Sequence, residues 1–187
     1  MAKILTIGHS NQKWTDITST LKDNHIDLIV DVRRYPGSKT CPQFNKEQMV
    51  KALKEENVSY VHIEKLGGRR NQSDTKGSRY DDNSGWKNEG FRAYANYIST
   101  ISFREGIDEI LSLMTKYYNL AITCAEAVPW RCHRRMIADY LTLVEDISVS
   151  DVIIGSKTLP ELHQVTSFAH LTDSKSSIIY PEKYANK

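Results

Sequence analysis

Asp27-Leu-Ile-Val-Asp-Val32 runs straight into Arg33-Arg-Tyr-Pro36. The run is nearly all apolar with no alternation, the pattern of a strand covered on both faces, and it stops at two arginines and a proline. Working outward, the same design recurs. Lys3 to Ile7 stops at Gly8, and Val58 to Ile63 runs into Leu66-Gly-Gly-Arg-Arg70. Leu120 to Thr123 leads into Cys124, and Val149 to Ile154 into Gly155. Between these runs the apolar spacing turns helical. Trp14, Ile17 and Leu21 share one face, and Asn45 with Gln48 forms a capping box for a helix reaching Glu56. Phe91, Tyr94, Ile98 and Ile101 mark another helix. Ser102 and Glu105 cap the next, whose inner face is Ile107, Ile110, Leu111 and Met114. Met136, Ile137, Tyr140, Leu141 and Val144 line the last. Alternating strands and helices predict right-handed crossovers and a Rossmann-like α/β fold, with a mostly parallel central sheet of about five strands flanked by helices. Beyond Gly155 the pattern breaks into short strand-like pieces, including Ser177-Ile-Ile-Tyr180. The expected division is an α/β core over 1–155 and a small strand-rich C-terminal extension, 156–187, packed on it.

A chain of 187 residues, 40% of them apolar, suits one domain that buries roughly 70% of its unfolded surface. The formal net charge of +2 is not the strongly basic balance of a dedicated nucleic-acid binder. Cys41, Cys124 and Cys132 are too few, and odd in number, for a disulfide framework. No apolar run approaches the roughly 18 residues of a membrane span, and MAKILTIGHSN reads directly into a strand without a signal-peptide core. A cytoplasmic protein with free thiols and no membrane partner is expected. Nothing in the sequence sets an oligomeric state.

Ligands of open α/β sheets bind beyond the carboxyl ends of the strands. The first strand exits into Gly8, His9, Ser10 and Asn11, and the second into Asp31, Arg33 and Arg34. The third leads to Gly67, Gly68, Arg69 and Arg70, and the fourth to Cys124, Glu126, Cys132, His133 and Arg134. Four polar exits on one sheet edge predict a shared site. Plain alternatives exist for each part. The glycines serve tight turns, His9 caps a helix, Asp31 and Arg33 form an ion pair, and Arg34 is solvated. Cys41 is incidental, His62 is a satisfied half-buried histidine, and Tyr117 and Tyr118 are core and boundary residues.

Cys124-Ala-Glu-Ala-Val-Pro-Trp-Arg-Cys-His-Arg134 carries the chemistry. A cysteine between strand and helix is favoured as thiolate by helix amides and nearby cations, here Arg131, Arg134 and Arg135. Cys132 is expected in the first helical turn, and Glu126 and His133 are candidate acid and base for either thiol. Strand, cysteine, anion-cradling loop and helix is also the plan of rhodaneses and cysteine-dependent phosphatases. Those phosphatases place one residue fewer between cysteine and arginine than the six between Cys124 and Arg131. The loop here has Trp130 and no glycine, so side-chain guanidiniums rather than backbone amides would bind an anion. Cys124, Cys132 and His133 are all zinc-ligand types. However, Cys132 and His133, adjacent on one helix, should point apart, and no C-x₂-C pair is present. The Cys-Ala-Glu triplet lacks the Pro-Cys-x-x-Cys partner of zinc deaminases. No metal and no cofactor is therefore expected, and a reversible Cys124–Cys132 disulfide remains open.

Taken together, these residues resemble the domain-of-unknown-function 488 (DUF488) family. The resemblance rests on Thr6-Ile-Gly-His-Ser-Asn11, Asp31-Val-Arg33 with Pro36 and Ser38, and Phe44-Asn45. It continues through Leu66-Gly-Gly-Arg-Arg70, Phe91 with Tyr94, Cys124-Ala-Glu126 with Pro129, and Cys132-His-Arg134. His163, Phe168-Ala169 and Tyr180-Pro181 extend it, while the long polar stretch from Gln72 to Asn88 and the surroundings of Gly155 depart from it. The resemblance implies a compact α/β domain with these residues around one cleft and supplies no reaction. The leading expectation is a cysteine-dependent hydrolase or transferase for a small anionic or nucleotide-like ligand. Cys124, Cys132, Glu126 and His133 would be catalytic, with His9, Ser10, Asp31, Arg33, Gly67, Gly68, Arg69, Arg70 and Arg134 around the substrate. One alternative is a nucleic-acid binding protein that stacks bases on Tyr80 and Trp86 of the Arg69 to Arg92 loop. Another is a thiol redox sensor using Cys124 and Cys132.

Overall fold

The central strands are buried along most of their length, as expected of strands covered on both faces, whereas the edge strand Ser59–His62 is half-buried throughout. In the computed structural model, which describes residues 3–71, 73–76, 78, 82–155 and 159–185, β1 (Lys3–Gly8) is exposed only at Lys3. All four residues of β2 (Leu28–Asp31) are buried. With β3 (Ser59–His62), β4 (Asn119–Cys124), β5 (Val149–Val152) and β6 (Glu161–Leu162) they form a six-stranded sheet in the order β3-β2-β4-β1-β5-β6. Only β6 runs antiparallel, against β5.

Strand alternation divides the core in two. Leu5, Ile7, Ile29 and Ala121 face one side, with Ile17 and Leu21 of α1 (Trp14–Asp23) and Met49 and Leu53 of α2 (Lys46–Glu55). Ile4, Leu28, Val30, Leu120 and Ile122 face the other. There they meet α3 (Glu89–Tyr97), α4 (Ile101–Met114) and α5 (Arg134–Leu143) through Tyr94, Phe103, Ile107, Ile110 and Ile137.

Two capping expectations are corrected. The Asn45 side chain does not cap α2; its Oδ1 accepts from the Ser38 amide, 2.6 Å away, and ties down the loop after β2. Thr100, not Ser102, caps α4, its hydroxyl accepting from the Phe103 amide. A two-residue shift in the start of α4 moves the capping oxygen with it.

The topology places the crevice. After β1 the chain crosses toward β2, and after β4 it crosses the opposite way toward β5, yet β1 and β4 are neighbours in register, Gly8 opposite Cys124. Diverging connections from adjacent parallel strands leave a gap beyond their carboxyl ends. The pairing runs past the strands, with the His9 amide donating to the Cys124 carbonyl and the Ser10 amide to that of Ala125. The contact is so close that a Cβ on Gly8 would lie 1.7 Å from the Glu126 carbonyl oxygen, so only glycine fits.

After residue 155 the chain adds β6, a hairpin of β7 (His170–Leu171) and β8 (Ile178–Ile179), and a last turn, α6 (Glu182–Ala185). A polar network joins this part to the sheet. His163 bonds Asp151 through Nδ1 at 2.8 Å and Asp139 through Nε2 at 3.0 Å. Asp139, fully buried, also accepts from the Thr166 amide and hydroxyl and from the Tyr180 hydroxyl. Asp151 accepts from Thr6 in β1. Burial by itself would lower the His163 pKa, but its bonds to Asp139 and Asp151 outweigh that and raise it to about 9.

The ordinary imidazole value is about 6.5, so the His163 contribution is complete below that pH and is lost as pH rises through about 9. It amounts to roughly 3 kcal/mol. Thermal unfolding is expected to drop by several degrees between pH 6.5 and 9 (both set by the ordinary value and that near 9). His163→Gln should flatten this dependence, and an unchanged slope would remove the charged His163 from the network.

Candidate functional site

Cys124 ends β4 and Cys132 follows the 3-10 turn Pro129–Arg131. Cys132 is extended, with φ −132° and ψ 145°, and the helix begins only at Arg134, with His133 as its cap residue. Cys132 is therefore not in the first helical turn. Nor do it and His133 point apart, because the extended conformation turns both toward Cys124. The His133 Nδ1 is 3.7 Å from the Cys132 sulfur and 4.0 Å from that of Cys124, and all three atoms lie within 4.8 Å of one another.

The His133 ring is held on three sides. Its Nε2 bonds the Val32 carbonyl at 3.0 Å, so in the neutral ring Nδ1 carries the lone pair and faces the sulfurs. Tyr94 packs at 4.9 Å between ring centroids. Gly68 backs the ring so closely that a Cβ would lie 2.7 Å from Nδ1. A Cβ on Gly67 would meet Arg34 at 2.7 Å. Both glycines are required by close packing rather than by positive φ.

The thiols share their proton unequally. The hydrogen bond from Cys132 holds the Cys124 pKa well below the ordinary thiol value against burial, with His133 and Arg134 helping. Donating that bond, together with burial, pushes Cys132 well above it. Ionisation is thus favoured at Cys124 over Cys132.

A second buried assembly flanks the first. Arg33 grips the fully buried Asp31 through Nε at 2.9 Å and Nη2 at 2.5 Å. The Tyr60 hydroxyl donates to the same carboxylate at 2.7 Å. The guanidinium also meets the Met49 sulfur and, through Nη1, His9 Nε2 at 3.1 Å. His9 donates from Nδ1 to the Ser10 carbonyl and stacks on Phe44. Burial lowers its pKa, opposed in part by that carbonyl bond. With both nitrogens engaged, His9 is a neutral spacer between Arg33 and the thiol cluster.

The other sequence-predicted residues fall into two sets. Arg134 is fully buried and donates to the Glu126 and Ala127 carbonyls, so it shapes the cysteine loop from within. Arg70 is bound to the carbonyls of Gly67, Glu64 and Lys65 and stacks on Tyr97. Arg34 pairs with Asp74 at 2.9 Å. Arg33 and Arg34 still line a cleft of about 810 Å³, with Ser10, Arg69, Glu126 and Arg131 at its rim and the two cysteines and His133 in its wall. Ser10 (φ 45°) and Arg69 (φ 56°) both take the left-handed backbone conformation there, which costs each about 1 kcal/mol or more. The Glu126 carboxylate accepts from the Ala127 amide at 3.1 Å.

Tyr60, Met49 and the Val32 carbonyl are partners that sequence reasoning missed. Tyr60 was findable, since Asp31 pairs with His62 and Tyr60 lies on the same face of β3 two residues earlier. Trp86 is not available for base stacking. It packs between Phe91 and Phe168 at 5.1 Å and near Tyr180 at 5.5 Å. Tyr80 lies outside the described residues. No helix among those residues is long and apolar enough to cross a membrane.

A family model described as a domain of unknown function, DUF488, matches residues 13–141. The chain belongs to the DUF488 family. The match takes in Asp31, Arg33, the Gly67–Arg70 turn and the whole cysteine segment of this DUF488 protein. His9 and Ser10 precede it, and the Asp139 end of the C-terminal network is inside it while His163 is not. No curated protein and no solved structure matches the chain.

Asp31→Ala should leave Arg33 buried without its counter-charge, and the loss from breaking such a pair is about 3–5 kcal/mol. Urea unfolding measures it, and a loss below about 1 kcal/mol would place the pair among the weak surface-type bridges.

Proposed function

We propose that this DUF488 protein is a cysteine-dependent enzyme of the hydrolase or transferase class, acting on a small anionic substrate. One observation carries the reading. Cys124 lies beside a histidine whose far nitrogen is tethered to a carbonyl, at the wall of an 810 Å³ cleft. Nucleophile, base and orienting group in series is the general logic of activated nucleophiles. Arg69 and Arg131, exposed at the cleft rim, supply the positive charge for an anion. Arg33, Arg70 and Arg134, whose contacts are internal, build the cleft instead.

The Cys124 sulfur attacks an electrophilic carbon or phosphorus. A bond to sulfur forms as the bond to the leaving group breaks, and that group departs with the electron pair. Cys132 or His133 protonates it. Water, or an acceptor hydroxyl, then attacks the thioester or thiophosphate intermediate. The bond to sulfur breaks with its electron pair returning to Cys124, and the attacking group's proton goes back to the Cys132 or His133 that protonated the leaving group. A nucleotide-like substrate fits the same scheme, with its phosphate at the arginine rim.

Alkylation tests this without a known substrate. Iodoacetate should label Cys124 faster than the half-buried Cys41, and faster than the neutral iodoacetamide does. His133→Ala should slow the labelling about tenfold or more. Arg69→Ala with Arg131→Ala should erase the preference for the anionic reagent. Equal labelling of Cys124 and Cys41 would overturn the nucleophile.

The proximity of the two sulfurs also favours a second reading, a thiol redox pair. Two thiols and one peroxide give a disulfide and two waters. Mass spectrometry after peroxide treatment should then find Cys124 linked to Cys132, and only sulfinic or unmodified forms would dispose of it.

A further inference from the structure

We propose that Cys124, Cys132 and His133 also form a binding site for one thiophilic divalent metal ion such as zinc, with a fourth position open to the cleft. The ligand atoms are two sulfurs and one imidazole nitrogen, the donors that suit this class of ion. A tetrahedral zinc, with bonds of about 2.3 Å to sulfur and about 2.05 Å to nitrogen, sets S–N pairs about 3.6 Å apart and S–S pairs about 3.8 Å apart. The two S–N distances here are 3.7 and 4.0 Å, and the whole set falls within 4.8 Å. Small rotations of the cysteine side chains are enough to close on an ion.

An independent feature is the far side of His133. Histidine ligands almost always give their second ring N–H to a carbonyl, carboxylate or water, which sets the tautomer and aims the ring. His133 Nε2 has that partner in the Val32 carbonyl. The ring is also clamped between Tyr94 and Gly68, so Nδ1 is aimed at the sulfurs before any ion arrives. Three protein ligands are one short of the closed four-coordinate site of a structural zinc. All three residues line the cleft, so the fourth position is reached from it by water or substrate.

The consequence for function rests on the cysteine reading above. Sharing a lone pair with a metal draws charge from the sulfur and weakens it as a nucleophile, so the loaded protein is the less reactive form. Removal of the ion restores the nucleophile.

Cobalt(II) titration of the full chain, reduced and stripped with chelator, tests the site directly. One equivalent should produce the near-ultraviolet sulfur-to-cobalt charge-transfer band and the intense visible bands of tetrahedral cobalt, and zinc should displace it. Cys132→Ser and His133→Ala should each weaken binding by more than about 100-fold, beyond the usual loss from an outer partner. Cys41→Ser should bind normally. Absence of the charge-transfer band in protein whose thiols still react with a disulfide reagent would overturn the site, as would its loss in Cys41→Ser. The two proposals fail separately. Cobalt binding alongside slow alkylation of metal-free Cys124 would sink the nucleophile and keep the metal. Fast alkylation without cobalt binding would do the reverse.

Discussion

The parallel pairing of β1 with β4, carried beyond the strands themselves, is the constraint on which the rest of this structure depends. Gly8 lies opposite Cys124, and the ladder continues through the His9 and Ser10 amides onto the cysteine loop. A side chain on Gly8 would collide with the Glu126 carbonyl. That carbonyl in turn accepts from the buried Arg134. One backbone contact therefore sets where the cysteine loop leaves the sheet, and Arg134 locks the loop from the helix side. Arg134 reaches the β1 side too, through Thr6, whose hydroxyl also binds Asp151 of the C-terminal network.

Two assemblies of charged groups are set inside this molecule. Asp31 and Arg33 form a pair closed off by Tyr60, Met49 and His9. Asp139, His163 and Asp151 form another. Buried charges of this kind stabilise weakly in net terms, since desolvation opposes the attraction, but they are costly to leave half-made. Their effect is to fix geometry. The first holds His9 neutral beside the thiol cluster, and the second fastens the segment after residue 155 to α5 and β5.

The thiol cluster draws its character from its surroundings. Two sulfurs and an imidazole gather because Cys132 is extended and His133 precedes the helix. The Val32 carbonyl, at the end of β2, chooses the tautomer. Contributions from β2, β4 and the start of α5 thus meet at one ring, which is why the proposed enzyme mechanism and the proposed metal site draw on the same three atoms.

Much was determined by the sequence alone. Continuous apolar runs separated by helical spacing specify a parallel sheet covered on both faces, because backbone pairing and burial on both faces leave such runs few other arrangements. The same pattern put the polar strand exits of residues 8–11, 31–34, 67–70 and 124–134 on one edge, and family membership follows from their motifs. The tertiary structure decided which of those side chains face the cleft. Arg33, Arg70 and Arg134 look like anion ligands in sequence, but long guanidinium stems reach inward to a carboxylate or carbonyl that only the packed fold supplies. Gly67 and Gly68 read in sequence as tight-turn glycines beside a substrate, and they are instead the room that Arg34 and His133 occupy. Whether Cys132 and His133 converge was likewise a matter of one backbone conformation. Helical spacing turns neighbours about 100° apart, whereas the extended Cys132 brings the two onto Cys124.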